Sequence, residues 1–110
     1  DPRVLQQALI NIVTNAADAV TGRDEPAISL TVKRELGSKH IIVSDNGVGM
    51  TDQQKKDLFK PFYTSKQNGT GLGLVIVKKM LARMNCDISI TSVLGKGTVA
   101  DISIPEGNNG

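Results

Sequence analysis

The 110 residues have the length of one domain, and 39% apolar with 22% charged side chains suffice to bury a single core without disulfides. Thirteen basic against 11 acidic residues leave a formal charge of +2, and only two Phe and one Tyr are present. That balance excludes both the concentrated basic charge of a nucleic-acid module and the aromatic platforms that stack bases. No apolar run approaches the ~18 residues that span a bilayer, and no signal peptide is present. The single cysteine, Cys86, lies in an alternating apolar stretch and reads as a small buried filler in a reducing compartment.

The chain opens on a helix pattern without an initiator methionine, as a piece cut from a longer protein would. Asp1-Pro2 is an N-cap followed by proline in the first turn. Leu5, Leu9, Ile12, Ala16 and Val20 then recur at helical spacing, and the helix is expected to end near Thr21-Gly22. Ile28, Leu30 and Val32 alternate with Ser29, Thr31 and Lys33, which predicts a half-buried strand. Gly37-Ser38 marks a turn, and Ile41 to Asp45 a second strand. Thr51 with Gln54 forms a capping box for a short helix through Leu58. Thr64 to Gly73 is polar and glycine-rich, and most of it reads as a mobile loop. Leu74, Val77, Met80, Leu81 and Met84 mark another amphipathic helix. Ile88 and Ile90 begin a strand that turns at Gly95-Lys96-Gly97, and Ala100, Ile102 and Ile104 line its return partner. The order predicts an α+β two-layer sandwich over residues 1–105, with helices on one face of a mixed, mostly antiparallel sheet. Residues 106–110 are expected to be a disordered tail.

Three clusters carry chemistry. At about 100° per residue Asn11, Asn15 and Asp18 lie within roughly 60° of one another on the first helix. Two readings stand for this stripe: a solvated helix face, or oxygen ligands for a hard cation beside substrate phosphates. Asp45-Asn46-Gly47-Val48-Gly49 is strong turn chemistry, yet Asp45 shares strand parity with Ile41 and Val43. A carboxylate on a core-facing row needs a partner, and the exocyclic amine of a purine would serve. Gly69-Thr70-Gly71-Leu72-Gly73 leads into a helix, where backbone N–H groups and the helix dipole suit phosphates. It is not the dinucleotide fingerprint, because position 76 is Ile. Gly95-Lys96-Gly97-Thr98 is not a P-loop, because residue 90 is Ile and Thr98 does not follow the lysine.

In this order the clusters resemble the GHKL ATP-binding superfamily, with its Bergerat-type nucleotide fold, and within it the sensor histidine kinases of the nitrogen-regulation type. Leu9 to Ala16 is similar to the asparagine box, Asp45 to Gly49 to the first glycine box, and Phe59-Lys60-Pro61-Phe62 to the phenylalanine box. Gly69 to Leu74 is similar to the second glycine box, and Gly95 to Thr98 to the closing hairpin. The resemblance implies that Asp45 accepts from the adenine amino group, that Gly47 and Gly49 let the backbone approach the base, and that Thr98 supports the pocket. It implies Asn15 as a Mg²⁺ ligand, with Asn11 as a second ligand or phosphate contact and Asp18 beside them. Gly71, Leu72 and Gly73 would donate to phosphates, and Thr64 to Thr70 would form a lid. Phe62-Tyr63-Thr64-Ser65-Lys66 resembles the short run of that subgroup, in which the lysine reaches the γ-phosphate. Lys60 departs from the pattern, standing where the subgroup commonly has glutamate.

The superfamily's ATPases and serine kinases use a glutamate as general base four residues before the metal-binding asparagine. Here that position is Asn11, whose amide cannot take a proton. The resemblance therefore implies histidine phosphorylation, with the acceptor expected N-terminal to Asp1 in the intact protein; the alternative of another kind is a nucleotide-binding module without transfer activity. His40, the only histidine, reads as an edge or turn residue. Expected cofactors are ATP and Mg²⁺. Expected partners are the phosphoacceptor and dimerisation domain of the same kinase and a downstream response regulator, with no nucleic acid and no membrane contact by this domain. Its expected location is the cytoplasm, in a protein anchored or not in the inner membrane.

Overall fold

A computed structural model describes residues 2–58 and 73–106 of the chain. Helix α1 (Pro2–Val20) buries Ala8, Ile12, Ala16 and Val20, one residue per turn, so that two alanines bring its axis close to the sheet. It stops at Val20, where Thr21 Oγ1 turns back to the Ala17 carbonyl at 3.0 Å. Strands β1 (Ile28–Glu35) and β2 (Ser38–Asp45) follow, joined through Leu36 and Gly37 at φ 54° and 82°. Two successive left-handed residues make the tight hairpin turn that matches strand twist.

The capping box expected at Thr51 is present: its side chain accepts from the Gln54 N–H at 3.1 Å, and Gln54 Oε1 accepts from the Thr51 N–H at 2.8 Å. Helix α2 (Asp52–Asp57) follows it. Helix α3 (Gly73–Arg83) buries Val77 and Leu81 and ends with Asn85 at φ 60°. The Cys86 N–H reaches back to the Leu81 carbonyl at 2.9 Å, which closes the helix end. Strands β3 (Asp87–Val93) and β4 (Gly97–Pro105) complete the sheet.

The strand order is β1-β2-β4-β3, and every pairing among the described residues is antiparallel. Helix α1 lies over β2 and β4, and α3 over β3. Ile41 and Val43 of β2, Ile88 of β3, and Ala100 and Ile102 of β4 meet the helices in one core.

Three expectations need correction. Strand β1 is not half-buried: all eight of its residues are exposed, because no described helix covers the face that Ile28, Leu30 and Val32 present. His40 is neither an edge nor a turn residue. It pairs with Lys33 on one side and Ser103 on the other, and its Nδ1 lies 2.9 Å from Asp101 Oδ1 on the sheet face away from the helices. Glu106, assigned to the tail, donates its N–H to the Gly37 carbonyl at 2.9 Å and pairs with Arg34. The rest of the tail, the phenylalanine box and the loop through Leu72 lie outside the described residues.

Candidate functional site

The site forms where three segments distant in sequence meet at one end of the sheet. The C-terminal turn of α1 docks on the turn after β2, with the Val48 N–H donating to the Ala19 carbonyl at 3.1 Å. A Cβ on Gly47 would stand 2.5 Å from that carbonyl oxygen, so glycine is what allows this approach. The β3–β4 hairpin closes the third side, and the Gly95 N–H donates to the Val48 carbonyl at 2.7 Å. Gly49 is buried against the Val93 carbonyl.

Asp45 ends β2 half-buried, on the same face as the buried Ile41 and Val43, as its parity predicts. Its Oδ1 accepts from the Gly47 N–H at 2.8 Å, which tightens the turn. Thr98 stands directly opposite Asp45, and Ser92 directly opposite Thr98, so the three side chains form a row across three strands. Ser92 is buried at 3% exposure. Its Oγ donates to the Gly97 carbonyl at 3.0 Å and lies 2.8 Å from Thr98 Oγ1. A hydroxyl has one hydrogen, so with Ser92 spent on Gly97 it is Thr98 that donates to Ser92. Thr98 is left with acceptor capacity only, beside an acceptor carboxylate. Such a pair reads a donor N–H.

On α1, Asn11 and Asn15 are half-buried and Asp18 is exposed. The Asn15 side chain donates to Asn11 Oδ1 at 3.2 Å, so the two amides orient each other, one turn before Ala19 docks on the glycine turn. No group of three or more His, Cys, Asp or Glu able to hold a metal is found among the described residues. A site for a hard cation here would rest on amide and phosphate oxygens. Gly73 is the first residue of α3. Tyr63, Thr64, Ser65, Lys66, Gly69, Thr70, Gly71 and Leu72 lie outside the described residues. Cys86 is off the site; burial pushes its thiol up from the ordinary range. No described helix is long and apolar enough to cross a membrane.

Sequence reasoning missed three residues that hold this junction. Arg23 donates through Nε to the Asn46 carbonyl and through Nη2 to the Gly95 carbonyl, both at 2.9 Å, tying the glycine turn to the hairpin. Lys55 anchors α2 by donating to the Ser92 carbonyl at 3.0 Å. Ser92 carried a visible signal, since it breaks the apolar row of Ile88 and Ile90. Hydrogen bonds from a charged group are worth about 1.5–3 kcal/mol, so Arg23→Ala should cost stability of that order. Arg23→Lys should recover only part of it, because an ammonium lacks the fork that serves two carbonyls. An unchanged urea midpoint in Arg23→Ala would remove the residue from the junction.

The family model for histidine kinase-, DNA gyrase B- and HSP90-like ATPases matches residues 1–108. The chain is 40% identical to sporulation kinase E of Bacillus subtilis (strain 168) over 111 residues, covering 99% of this chain and 15% of that protein. The solved catalytic domain of histidine kinase ThkA superposes with a TM-score of 0.81 at 31% identity, over 96% of this chain and 68% of that one. Full-length ShkA in complex with AMPPNP matches with a TM-score of 0.79 at 27% identity, over 93% of this chain and 21% of that one. The chain thus spans well under a quarter of sporulation kinase E. With the Bergerat-type α+β sandwich in place and the family model covering nearly every residue, the chain belongs to the histidine kinase-, DNA gyrase B- and HSP90-like ATPase family.

Proposed function

We propose that this domain binds Mg-ATP and passes the γ-phosphate to a histidine on a separate phosphoacceptor and dimerisation domain, in a signalling pathway that ends at a response regulator. The observation that carries the choice is Asn11. At the position where the family's ATPases hold a basic carboxylate stands an amide, hydrogen-bonded to Asn15 and unable to take a proton from water or serine. A neutral imidazole nitrogen is already nucleophilic and needs no such base. The kinase names and the AMPPNP-bound ShkA among the relatives support the same reading.

In this reading Asp45 and Thr98 accept from the adenine amino group, while Gly47 and Gly49 keep the turn close enough for the base to reach them. Asn15 is the Mg²⁺ ligand, oriented by Asn11, with Asp18 on the same stripe; the ion would neutralise phosphate charge. Gly69 to Gly73 donate to phosphates, and the Tyr63 to Thr70 segment, with Lys66 at the γ-phosphate, covers the nucleotide. The domain works on the cytoplasmic side, where ATP is found.

Two measurements test the reading. Asn15→Ala should lower affinity for Mg-ATP while changing metal-free ADP binding less. Equal weakening with and without Mg²⁺ would make Asn15 structural. Incubated alone with ATP, the domain should release phosphate very slowly, and added acceptor domain should become labelled on histidine. Rapid steady-state release, abolished by removing a carboxylate of this chain, would place the protein in the ATPase branch instead.

A further inference from the structure

Ser92 interrupts an apolar row. It follows Ile88 and Ile90 on the core-facing side of β3, and its hydroxyl is buried with them. A buried hydroxyl is costly unless it is hydrogen-bonded, and this one is bonded twice. The Gly97 carbonyl, 3.0 Å away, has only lone pairs, so the Ser92 hydrogen points at it. The contact with Thr98 Oγ1 at 2.8 Å must then use the Thr98 hydrogen. Neither Ser92 nor Gly97 is free to turn aside. Lys55 holds the Ser92 backbone through its carbonyl at 3.0 Å, and Gly97 is packed too closely on the Asp45 carbonyl for even a Cβ.

We infer that Ser92 determines base specificity without touching the base. By holding the only hydrogen of the Thr98 hydroxyl, it makes Thr98 an acceptor, and so a reader of an amino group rather than of a carbonyl. This rests on the proposed reading, in which Asp45 and Thr98 meet the adenine amino group. That group has two hydrogens, and the row offers one acceptor for each: the Asp45 oxygen that Gly47 does not occupy, and Thr98 Oγ1. A threonine with its hydrogen free would be ambivalent, since a hydroxyl donates to a carbonyl as readily as it accepts from an amine. Ser92 removes the ambivalence. With alanine in its place, Thr98 has a hydrogen to offer a 6-oxo purine. Ser92 is thus a positioning residue for one proton, acting from two strands away from Asp45.

Calorimetry on the intact protein tests this with ADP and inosine diphosphate, whose base carries a carbonyl at the amino position; neither has a γ-phosphate to transfer. The comparison is made in Asp45→Asn, because a Thr98 hydrogen released beside a carboxylate would turn to the carboxylate. Asp45→Asn alone should shift preference toward inosine diphosphate, its amide nitrogen now donating. Adding Ser92→Ala should tighten inosine diphosphate further, by about 10-fold relative to ADP, as one hydrogen bond gained does. Adding Thr98→Val should cancel that gain. A loosened fold does not produce tighter binding of one nucleotide. Should Ser92→Ala not fold, Ser92→Cys, whose thiol is a weak acceptor, should shift the ratio in the same direction. No shift with Asp45→Asn would sink the adenine reading and this inference with it. Three results would overturn the role of Ser92 and leave the adenine reading standing. They are a shift with Asp45→Asn to which the Ser92 substitution adds nothing, equal weakening of both nucleotides by that substitution, and a gain that survives Thr98→Val.

Discussion

Asp45→Ala should weaken ATP binding roughly 10- to 150-fold, the equivalent of one charge-assisted hydrogen bond of about 1.5–3 kcal/mol. It should also erase the preference for ATP over GTP, whose purine presents a carbonyl where adenine has its amino group. The row described above explains why the effect should be large. Asp45 and Thr98 face each other across β2 and β4, and both present acceptors. A guanine carbonyl would meet two acceptors and repel both. Removing the carboxylate also deletes its bond to the Gly47 N–H, so the alanine variant alone would mix pocket and turn effects. Asp45→Asn separates them: its carbonyl oxygen can still hold Gly47, leaving the fold intact while the charge is gone. Calorimetry showing unchanged ATP affinity in either folded variant would take Asp45 out of the pocket.

Gly97→Ala should be the most damaging single-methyl change in the site. Gly97 sits at φ 135°, and its added Cβ would collide with the backbone carbonyl oxygen of Asp45. Backbone strain of about 1–3 kcal/mol and overpacking of a similar size act together against a backbone atom that cannot swing away. A loss of about 2–6 kcal/mol is a large part of a domain's total stability. Gly22→Ala is the control: it too has a positive φ, 88°, but nothing lies within 4 Å of the added carbon. Only the left-handed backbone penalty, about 1–2 kcal/mol, applies there. Denaturant midpoints that fell equally in the two variants would mean the hairpin tolerates the methyl group and does not hold Asp45 in place.

What the residue pattern could and could not reveal follows from the range of each interaction. Helix α1 and the alternating rows of β3 and β4 were legible because their apolar period is local, and the Thr51–Gln54 cap because it spans one turn. The parity of Asp45 with Val43 and Ile41 was legible for the same reason, and Asp45 does share their face of the sheet. The exposure of β1 was not legible. Alternation tells which way Leu30 points but not whether another element lies above it. Arg23 was invisible because its partners are carbonyls 23 and 72 positions away, brought near only by the sheet. The glycines of the Asp45–Gly49 turn were legible as glycines, but not that Gly47 serves the approach of α1. The resemblance assigns the second glycine box and Lys66 to phosphate contact; these residues remain proposals alongside the metal role of Asn15.

The meeting of Ala19, Val48 and Gly95 has a consequence for the order of events in folding. Those residues come from the first helix, the middle of the chain and the last hairpin, and Arg23, which ties the same junction to Gly95, reaches across 72 positions of chain. Contacts of long sequence separation carry a high closure cost and set slow folding. If the junction closes late, after the barrier has been crossed, a ligand held there has nothing to grip while the chain is still searching. Nucleotide would then prolong the life of the finished domain by slowing its opening, and leave the speed at which a new chain folds almost untouched.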